Sequence, residues 1–217
     1  MALAGTRAES VALGLGRRGC WGSMRRGSCS LGVLTAALFV LSLQVSGQGT
    51  EPPLQDTMNF IANALTSRGV ISWTETVPDV FGASYTMNSS LTDVNANPSE
   101  CSLKWTSVYT SSDDKMVETY LVNLGTVSNV VVEPYSQYRK SDFQFKVENS
   151  PETYVVVMKT DTPLSGNREW YHKSKLKSTK KLSNEARLLF SDDQTANTVS
   201  DRIRHAAKIC RATRSGP

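Results

Sequence analysis

The chain has 217 residues, of which 24 are Lys or Arg and 20 are Asp or Glu, so its formal net charge is +4. The sequence contains no internal repeat and no long low-complexity run, which excludes a repeat protein and a low-complexity chain. About 170 residues remain after the N-terminal region discussed next, a length that suits one domain with its own core.

The N-terminal region has the pattern of an export signal. Fifteen uncharged residues, Leu31 to Val45, follow Arg25 and Arg26 and precede small residues up to Gly47. A basic stretch, a short apolar stretch and small residues before a cut are typical of a secretory signal peptide. We therefore predict a signal peptide at 24–47, cleaved near Gly47, so that no membrane span remains. An uncleaved anchor is the alternative, although the apolar run is shorter than the roughly 20 residues that a spanning helix needs.

Residues 1–23 precede this signal and match no part of it. We expect that translation starts at Met24 and that residues 1–23 are an extension introduced by gene prediction. The alternative is a signal peptide with an unusually long basic region, which leaves the processed protein unchanged.

Cleavage would remove Cys20 and Cys29 and leave Cys101 and Cys210. An even pair of cysteines in an exported protein predicts one disulfide, and two buried free thiols are the alternative. A disulfide in turn favours an oxidising compartment, which is either the periplasm or the extracellular space.

The basic excess of the full chain lies in the segment predicted to be removed. Residues 1–47 hold five arginines and one glutamate, so 19 basic and 19 acidic side chains remain. These charges are unevenly spread: residues 48–167 carry 7 basic and 14 acidic groups, whereas residues 168–217 carry 12 and 5. The processed protein is therefore predicted to be neutral with a cationic C-terminal end, and we predict no nucleic-acid partner.

The segment 48–81 is predicted to hold a short leader and one helix. Its apolar residues recur at helical spacing, at Leu54, Met58, Ile61 and Leu65. Gly69 then supplies a stop signal.

From residue 82 to residue 211 we predict one domain rich in β-strands, because the apolar period changes to two. Seven strands are predicted, around Tyr85–Met87, Leu103–Tyr109, Val117–Leu124, Asn129–Glu133, Phe143–Val147, Tyr154–Lys159 and Ala186–Phe190. Turn residues are found at Asn97-Pro98, Ser111 to Asp114, Asn149 to Pro151 and Gly166-Asn167.

The last predicted element is an amphipathic helix that runs to Cys210. Ser191 and Gln194 have the spacing of a capping box at its start. One stripe of the helix is apolar and ends on the cysteine, which we therefore expect to point inward: Ala196, Val199, Ile203, Ala206, Ala207 and Cys210. Residues 212–217 are predicted to be a disordered tail.

Seven strands followed by one C-terminal helix resemble the pleckstrin-homology-like barrel, in which the helix plugs one open end of a bent sheet. The C-terminal string, an aromatic residue followed by Asp192-Asp193 and later by His205-Ala206 and Cys210, is similar to that of uncharacterised secreted bacterial proteins of this shape. The resemblance covers Ala83 to Cys210. It implies an α+β fold, a seven-stranded antiparallel bent sheet or barrel capped by the C-terminal helix, but no single activity.

One function of that fold is not expected in this chain. Members that bind inositides hold the ligand with Lys and Arg around the loop between the first two strands. The corresponding segment, Thr92 to Ser102, contains two acidic residues and no basic one. We therefore predict no phosphoinositide binding and no cofactor.

A basic and aromatic segment between the sixth and seventh predicted strands is the candidate binding region. It is interpreted as a loop and contains Arg168, Trp170, Tyr171, His172, Lys173, Lys175, Lys177, Lys180 and Lys181. Cations with aromatic rings suit an anionic polymer, an anionic membrane surface or an acidic protein. The alternative is a Lys-rich surface with Trp170 and Leu176 facing the core.

No catalytic or metal motif is recognised. The sequence lacks the G-x-S-x-G elbow, and His205 and Cys210 lie about 140° apart around a helix, so they cannot face one ion. We therefore predict a non-catalytic exported binding or adaptor domain. The alternative is a small secreted hydrolase or enzyme inhibitor, which a cleft lined by two carboxylates would favour.

Overall fold

The computed structural model describes residues 51–77, 83–143 and 147–214. The predictions for residues 1–47 lie outside these ranges. Three α-helices occur in the described part of the chain: α1 at Leu54–Ser67, α2 at Tyr135–Phe143 and α3 at Asp193–Arg214. The strands found there are β1 Ile71–Val77, β2 Ala83–Asn97, β3 Ser102–Ser111, β4 Asp114–Asn123, β5 Val127–Pro134, β6 Glu148–Ser150, β7 Tyr154–Thr160, β8 Ser165–His172, β9 Lys175–Lys181 and β10 Glu185–Phe190.

The strands form two antiparallel sheets. The large sheet has seven strands in the order β6-β1-β2-β3-β4-β8-β9, and the small sheet has three in the order β10-β7-β5. Neighbouring strands are antiparallel throughout both sheets. The α+β class and the two predicted helices are thus confirmed. The described strands do not close into one barrel, however, because no strand of one sheet pairs with a strand of the other.

The main core lies between the large sheet, the small sheet, α1 and α3. The rings of Trp105 and Tyr120 stack there with centroids 4.7 Å apart, and both side chains are fully buried. Met58 of α1 and Ile203 of α3 belong to the same cluster, as do the other predicted inward residues of both helices. Burial of these stripes against the strands is what stabilises the two helices.

A second core cluster lies under α2. It contains Trp73 of β1 and Tyr135 of α2, whose rings meet edge to face with centroids 5.5 Å apart. Tyr138 stacks on Tyr135, and Val155 and Leu189 contribute from the small sheet. The cluster joins β1 and α2, two elements that the sequence analysis did not predict.

The disulfide between Cys101 and Cys210 is present, as predicted. The two Cα atoms lie 5.8 Å apart and are separated by 109 positions in the sequence. Cys210 is buried in the main core, and Leu124 donates a backbone hydrogen bond of 2.8 Å to the carbonyl of Cys101. The disulfide therefore fastens α3 to the turn before β3.

Several predicted strand boundaries were wrong. Phe143 ends α2 instead of beginning a strand, residues 144–146 lie outside the described ranges, and β6 starts only at Glu148. Most of the segment Thr92 to Ser102, expected to be a loop, belongs to β2. Gly166-Asn167, expected to be a turn, lies inside β8.

The ends of α3 also differ from the prediction. The helix starts at Asp193, and Asp192 Oδ1 accepts a hydrogen bond of 2.7 Å from the backbone N–H of Thr195. Asp192, not Ser191, is therefore the capping side chain. At the other end, residues 212–214 continue the helix instead of beginning the tail.

Candidate functional site

The basic segment 168–181 is a β-hairpin and not a loop. It consists of β8 and β9, joined by Lys173 and Ser174, which both have positive φ (47° and 61°). Two consecutive residues with positive φ are typical of a type I′ hairpin turn, which usually contains Asn or Gly. Neither Asn nor Gly stands at these two positions, so the turn carries no hairpin signal in the sequence.

Strand geometry divides the predicted binding residues between two faces of the hairpin. Arg168, Trp170 and His172 stand opposite Glu118, Met116 and Asp114 of β4. Because side chains alternate along a strand, Tyr171 lies on the other face, where its hydroxyl donates to Glu169 at 2.6 Å. The nine predicted residues therefore do not form one site.

Four cationic residues converge on a groove at one end of the hairpin. A cavity of about 320 Å³, which we call the cationic groove, is lined by Tyr138, Arg168, Lys180, Lys181, Leu182, Ser183, Asn184, Glu185 and Arg187. Lys180 stands directly opposite Arg168 in the β8–β9 pairing, and Arg187 comes from β10 of the small sheet. Neither Lys180 nor Lys181 forms an ion pair within the described part of the chain. The groove is thus bordered by both sheets.

A buried carboxylate holds two of these cations in place. Glu118 is completely buried in the middle of β4. Its Oε1 accepts hydrogen bonds from Arg187 Nη2 at 2.6 Å and from Arg168 Nε, and its Oε2 accepts one from the Tyr120 hydroxyl at 2.7 Å. Burial of a charge is tolerated only when it is paired and hydrogen-bonded. Both guanidinium groups are consequently fixed relative to the protein.

The network continues from Arg187 to α2. Arg187 Nη1 donates to the Tyr138 hydroxyl at 3.2 Å, and that hydroxyl donates to Glu185 Oε1 at 2.7 Å. The guanidinium carbon also lies 5.6 Å from the centroid of the Tyr138 ring. Tyr138 therefore positions Arg187 together with Glu118, through a hydrogen bond and a cation–π contact.

The protonation states in this network are set by burial and neighbouring charges. Burial raises the pKa of the Tyr120 phenol well above its usual value, and the Glu118 carboxylate raises it further. Burial lowers the pKa of Arg187, but the surrounding acidic groups, Glu118 among them, together outweigh this effect and hold that pKa above its ordinary range. Burial likewise raises the pKa of Tyr138. At neutral pH both phenols keep their protons and Arg187 keeps its charge.

Counting the formal charges gives the groove an excess of positive charge. The lining residues include four cations, Arg168, Lys180, Lys181 and Arg187, and one anion, Glu185. Adding the buried Glu118 still leaves four positive against two negative charges, or +2. An anionic group that enters the groove is therefore attracted to it.

The remaining predicted residues lie outside the groove. His172 Nδ1 is 2.9 Å from Asp114 Oδ1, and Lys173 is 3.8 Å from Asp113. Lys175 and Lys177 are exposed at the turn end of β9. Trp170 is 42% exposed and lines a different cavity, described below.

Five residues of the groove network were not singled out from the sequence: Glu118, Tyr120, Tyr138, Glu185 and Arg187. Glu118 alternates with Tyr120 and Val122 on the inward face of β4. A carboxylate at an inward strand position indicates a buried ion pair, because an unpaired charge is very costly there. This signal was present in the sequence. The partner of Glu118, Arg187, can be identified only from the fold, in which β10 faces β4.

Within the described ranges, no group of three or more His, Cys, Asp or Glu side chains could hold a metal ion. No helix of the described part of the chain is both long and apolar enough to cross a bilayer. No protein-family model matches this chain, no curated protein is significantly similar to it, and no solved structure matches its fold.

Proposed function

We propose that this chain is an exported, non-catalytic binding domain that engages an anionic polymer through the cationic groove. The observation that carries the proposal is the pair of guanidinium groups, Arg168 and Arg187, that share Glu118 Oε1 as acceptor. The Cys101–Cys210 disulfide supports the export part of the proposal, because reducing compartments keep such cysteines in the thiol form. The relation to secreted proteins with a pleckstrin-homology-like shape stays part of this proposal.

Arg168 has unused donors for an anion. Its side chain is 40% exposed, and only Nε is engaged, by Glu118. Both Nη groups are without a hydrogen bond to any described residue. A carboxylate, phosphate or sulfate group can accept from two such donors at once, which makes these contacts stronger than neutral hydrogen bonds. Lys180 and Lys181 add flexible charges at the rim.

A polymer with projecting anionic groups fits this groove better than a flat bilayer does. Arg187 is only 8% exposed, so a group must enter the recess to approach it. A polymer can place one of its anionic side groups in the recess and the neighbouring anionic groups near Lys180 and Lys181. Lipid headgroups in a planar surface reach the rim only, and binding to vesicles is therefore an outcome of the test below.

Two double variants with the same net charge test the proposal. Lys180→Gln/Lys181→Gln removes two cations from the groove, whereas Lys175→Gln/Lys177→Gln removes two from the opposite end of β9. We expect the first variant to bind poly-glutamate and dextran sulfate about tenfold more weakly than wild type, a change of about 1.4 kcal/mol. The second should lose much less.

Three results would contradict the proposal. They are equal losses for the two variants, no binding of either polymer at low salt, and tighter binding to phosphatidylglycerol vesicles than to the polymers. Binding should also weaken as salt is added, because the contacts are electrostatic.

The alternative of a small hydrolase has carboxylates to consider. Glu75 and Asp114 both line a cavity of about 500 Å³. Glu75, however, is ion-paired with Arg139 at 2.8 Å, and Asp114 lies 2.9 Å from His172. A glycosidase needs both carboxyl groups available to the substrate, whereas each of these already has a partner in the protein. Release of nitrophenol from nitrophenyl glycosides, abolished in Glu75→Gln, would favour the hydrolase over the binding domain.

A further inference from the structure

A second cavity lies on the inward face of the large sheet, beside α2. Its volume is about 500 Å³, within the range of small-molecule sites. Six of its lining side chains are aromatic or methionine: Tyr85, Met87, Tyr109, Met116, Tyr135 and Trp170. We call this cavity the aromatic cleft. The cationic groove shares none of these residues.

The aromatic cleft has a rigid floor and an accessible rim. Tyr109 and Tyr135 are 5% and 7% exposed, and Tyr135 is held between Trp73 and Tyr138. At the rim, Trp170 and Tyr85 are 42% and 49% exposed. Two large aromatic side chains that remain accessible beside an apolar recess are typical of a surface that contacts a ligand.

A buried carboxylate in the cleft has an unused acceptor. Glu75 of β1 is only 5% exposed and lines the cavity. Its Oε1 accepts a hydrogen bond of 2.8 Å from Arg139 Nη2, but its Oε2 is buried and accepts none from any described residue. Leaving a charged acceptor buried without a donor is costly, and most such groups in proteins have partners. The position is therefore prepared for a donor that the described chain does not supply.

The charges of the lining specify which donor fits. Among the described lining residues, Glu75 and Asp114 contribute two negative charges and Arg139 one positive charge, which is a net charge of −1. Aromatic faces attract cations as well as apolar groups. An ammonium group satisfies both conditions, whereas a carboxylate or phosphate would be repelled.

We propose that the aromatic cleft binds a small organic cation, a primary amine attached to an aromatic or branched apolar body. The ammonium group pairs with the carboxylate of Glu75, and the apolar body lies against Trp170, Met116 and Tyr85. This site is separate from the cationic groove, and it gives the domain a second ligand of opposite charge.

The test uses two probes of nearly equal size, phenethylamine and the neutral 2-phenylethanol. Each is titrated into the ¹⁵N-labelled full chain while the indole N–H signals of the tryptophans are followed. We expect the Trp170 signal to shift and saturate, while that of the fully buried Trp105 stays unchanged. The amine should bind at least about tenfold more tightly than the alcohol, which corresponds to about 1.4 kcal/mol.

Glu75→Gln should remove the preference for the amine while leaving binding of the alcohol in place. Glu169→Gln is the matched control, because it removes one negative charge from the opposite face of β8, where Glu169 accepts from Tyr171. It should keep the preference. Equal affinities for the two probes in wild type, or a preference that persists in Glu75→Gln, would overturn the proposal.

The variant Trp170→Ala is a second test of the proposal, which remains available if Glu75→Gln does not fold. Trp170 is partly exposed, so its truncation should leave the fold intact while weakening binding of both probes about tenfold. Unchanged affinity for phenethylamine in a folded Trp170→Ala protein would likewise overturn the proposal. Retention on poly-glutamate should stay at the wild-type level in this variant, which separates the two sites.

Discussion

Glu118 and Arg187 form an ion pair at 2.6 Å, although they are 69 positions apart in the sequence. Glu118 lies in β4 of the large sheet and Arg187 in β10 of the small sheet. The pair therefore connects the two sheets in the buried interior and also positions the floor of the cationic groove. Both the stability of the protein and anion binding in the cationic groove should therefore depend on this ion pair.

Glu118→Gln should destabilise the protein by about 3–5 kcal/mol, the typical cost of removing one partner of a buried ion pair. Arg187 would remain buried without a negative charge beside it. The free energy of unfolding is measured by urea titration, with Glu185→Gln as the control. Glu185 accepts from Tyr138 but holds no buried cation, so its loss should cost about 1 kcal/mol.

The double variant Glu118→Leu/Arg187→Leu tests the reason for that loss. Since no buried charge is left unpaired on either strand, it should be more stable than Glu118→Gln. A Glu118→Gln protein as stable as wild type would show that the pair is not buried as described here.

Cys101→Ser/Cys210→Ser should lower the free energy of unfolding by about 4–5 kcal/mol, since the disulfide closes a loop of about 110 residues in the unfolded chain. Urea unfolding of wild type with and without reductant should reproduce the same loss. Mass spectrometry after alkylation without reduction should find both cysteines unmodified. Modification of either one in the folded, unreduced protein would contradict the pairing.

Alkaline pH should unfold the protein through its buried tyrosines. Burial raises the pKa of Tyr109, Tyr120, Tyr135 and Tyr138 above the usual value near 10. Above pH 10 the unfolded chain releases these protons while the folded chain keeps them, so stability is present below pH 10 and is lost as pH rises. Each group contributes a slope of about 1.4 kcal/mol per pH unit.

The measurement for this prediction is tyrosinate absorbance together with circular dichroism between pH 9 and 13. Ionisation of the buried phenols should coincide with the loss of secondary structure. Their complete ionisation while the protein remains folded would contradict the burial of these four side chains.

Gly166→Ala should disrupt the pairing of β8 with β4. A Cβ atom at Gly166 would lie 2.0 Å from the backbone oxygen of Thr119 and 3.0 Å from Leu182 Cδ1. Because the first neighbour is backbone, the strands must separate, and we expect a loss of about 3 kcal/mol. Ser165→Ala, at the exposed neighbouring position, should change stability by less than about 0.5 kcal/mol. Thermal melts of the two variants compare them directly, and similar melting temperatures would contradict the prediction.

The elements that could be predicted from the sequence are those with regular apolar periods. The stripes of α1 and α3 predicted two helices, and the even pair of cysteines left after the predicted cleavage, Cys101 and Cys210, predicted the disulfide. The strand β1 was missed because Glu75 occupies an inward position that usually holds an apolar residue. The strand β8 was missed because Gly166-Asn167 at its start has the pattern of a turn, and β9 was missed because four of its seven residues are Lys. Pairing makes both of them strands, β8 with β4 and β9 with β8.

The candidate site could be predicted only in part, for the same physical reason. The sequence identified Arg168, Lys180 and Lys181 from their charge, but it also grouped them with residues on the other face of the hairpin. Arg187 and Tyr138 join them through contacts between separate elements, and such contacts cannot be read from local periodicity. Charge composition thus indicated a cationic surface, whereas the tertiary fold determined which cations converge.

The most direct test of the cationic groove is an NMR titration of the full chain with hexaglutamate, following the arginine Nε–H and lysine Nζ signals. We predict saturable shifts at Arg168, Lys180 and Lys181, with no change at Arg204, which is engaged by Asp201 and the Val130 carbonyl on α3 and β5. Shifts confined to Lys175 and Lys177, or shifts that never saturate at any cation of the groove, would contradict the account.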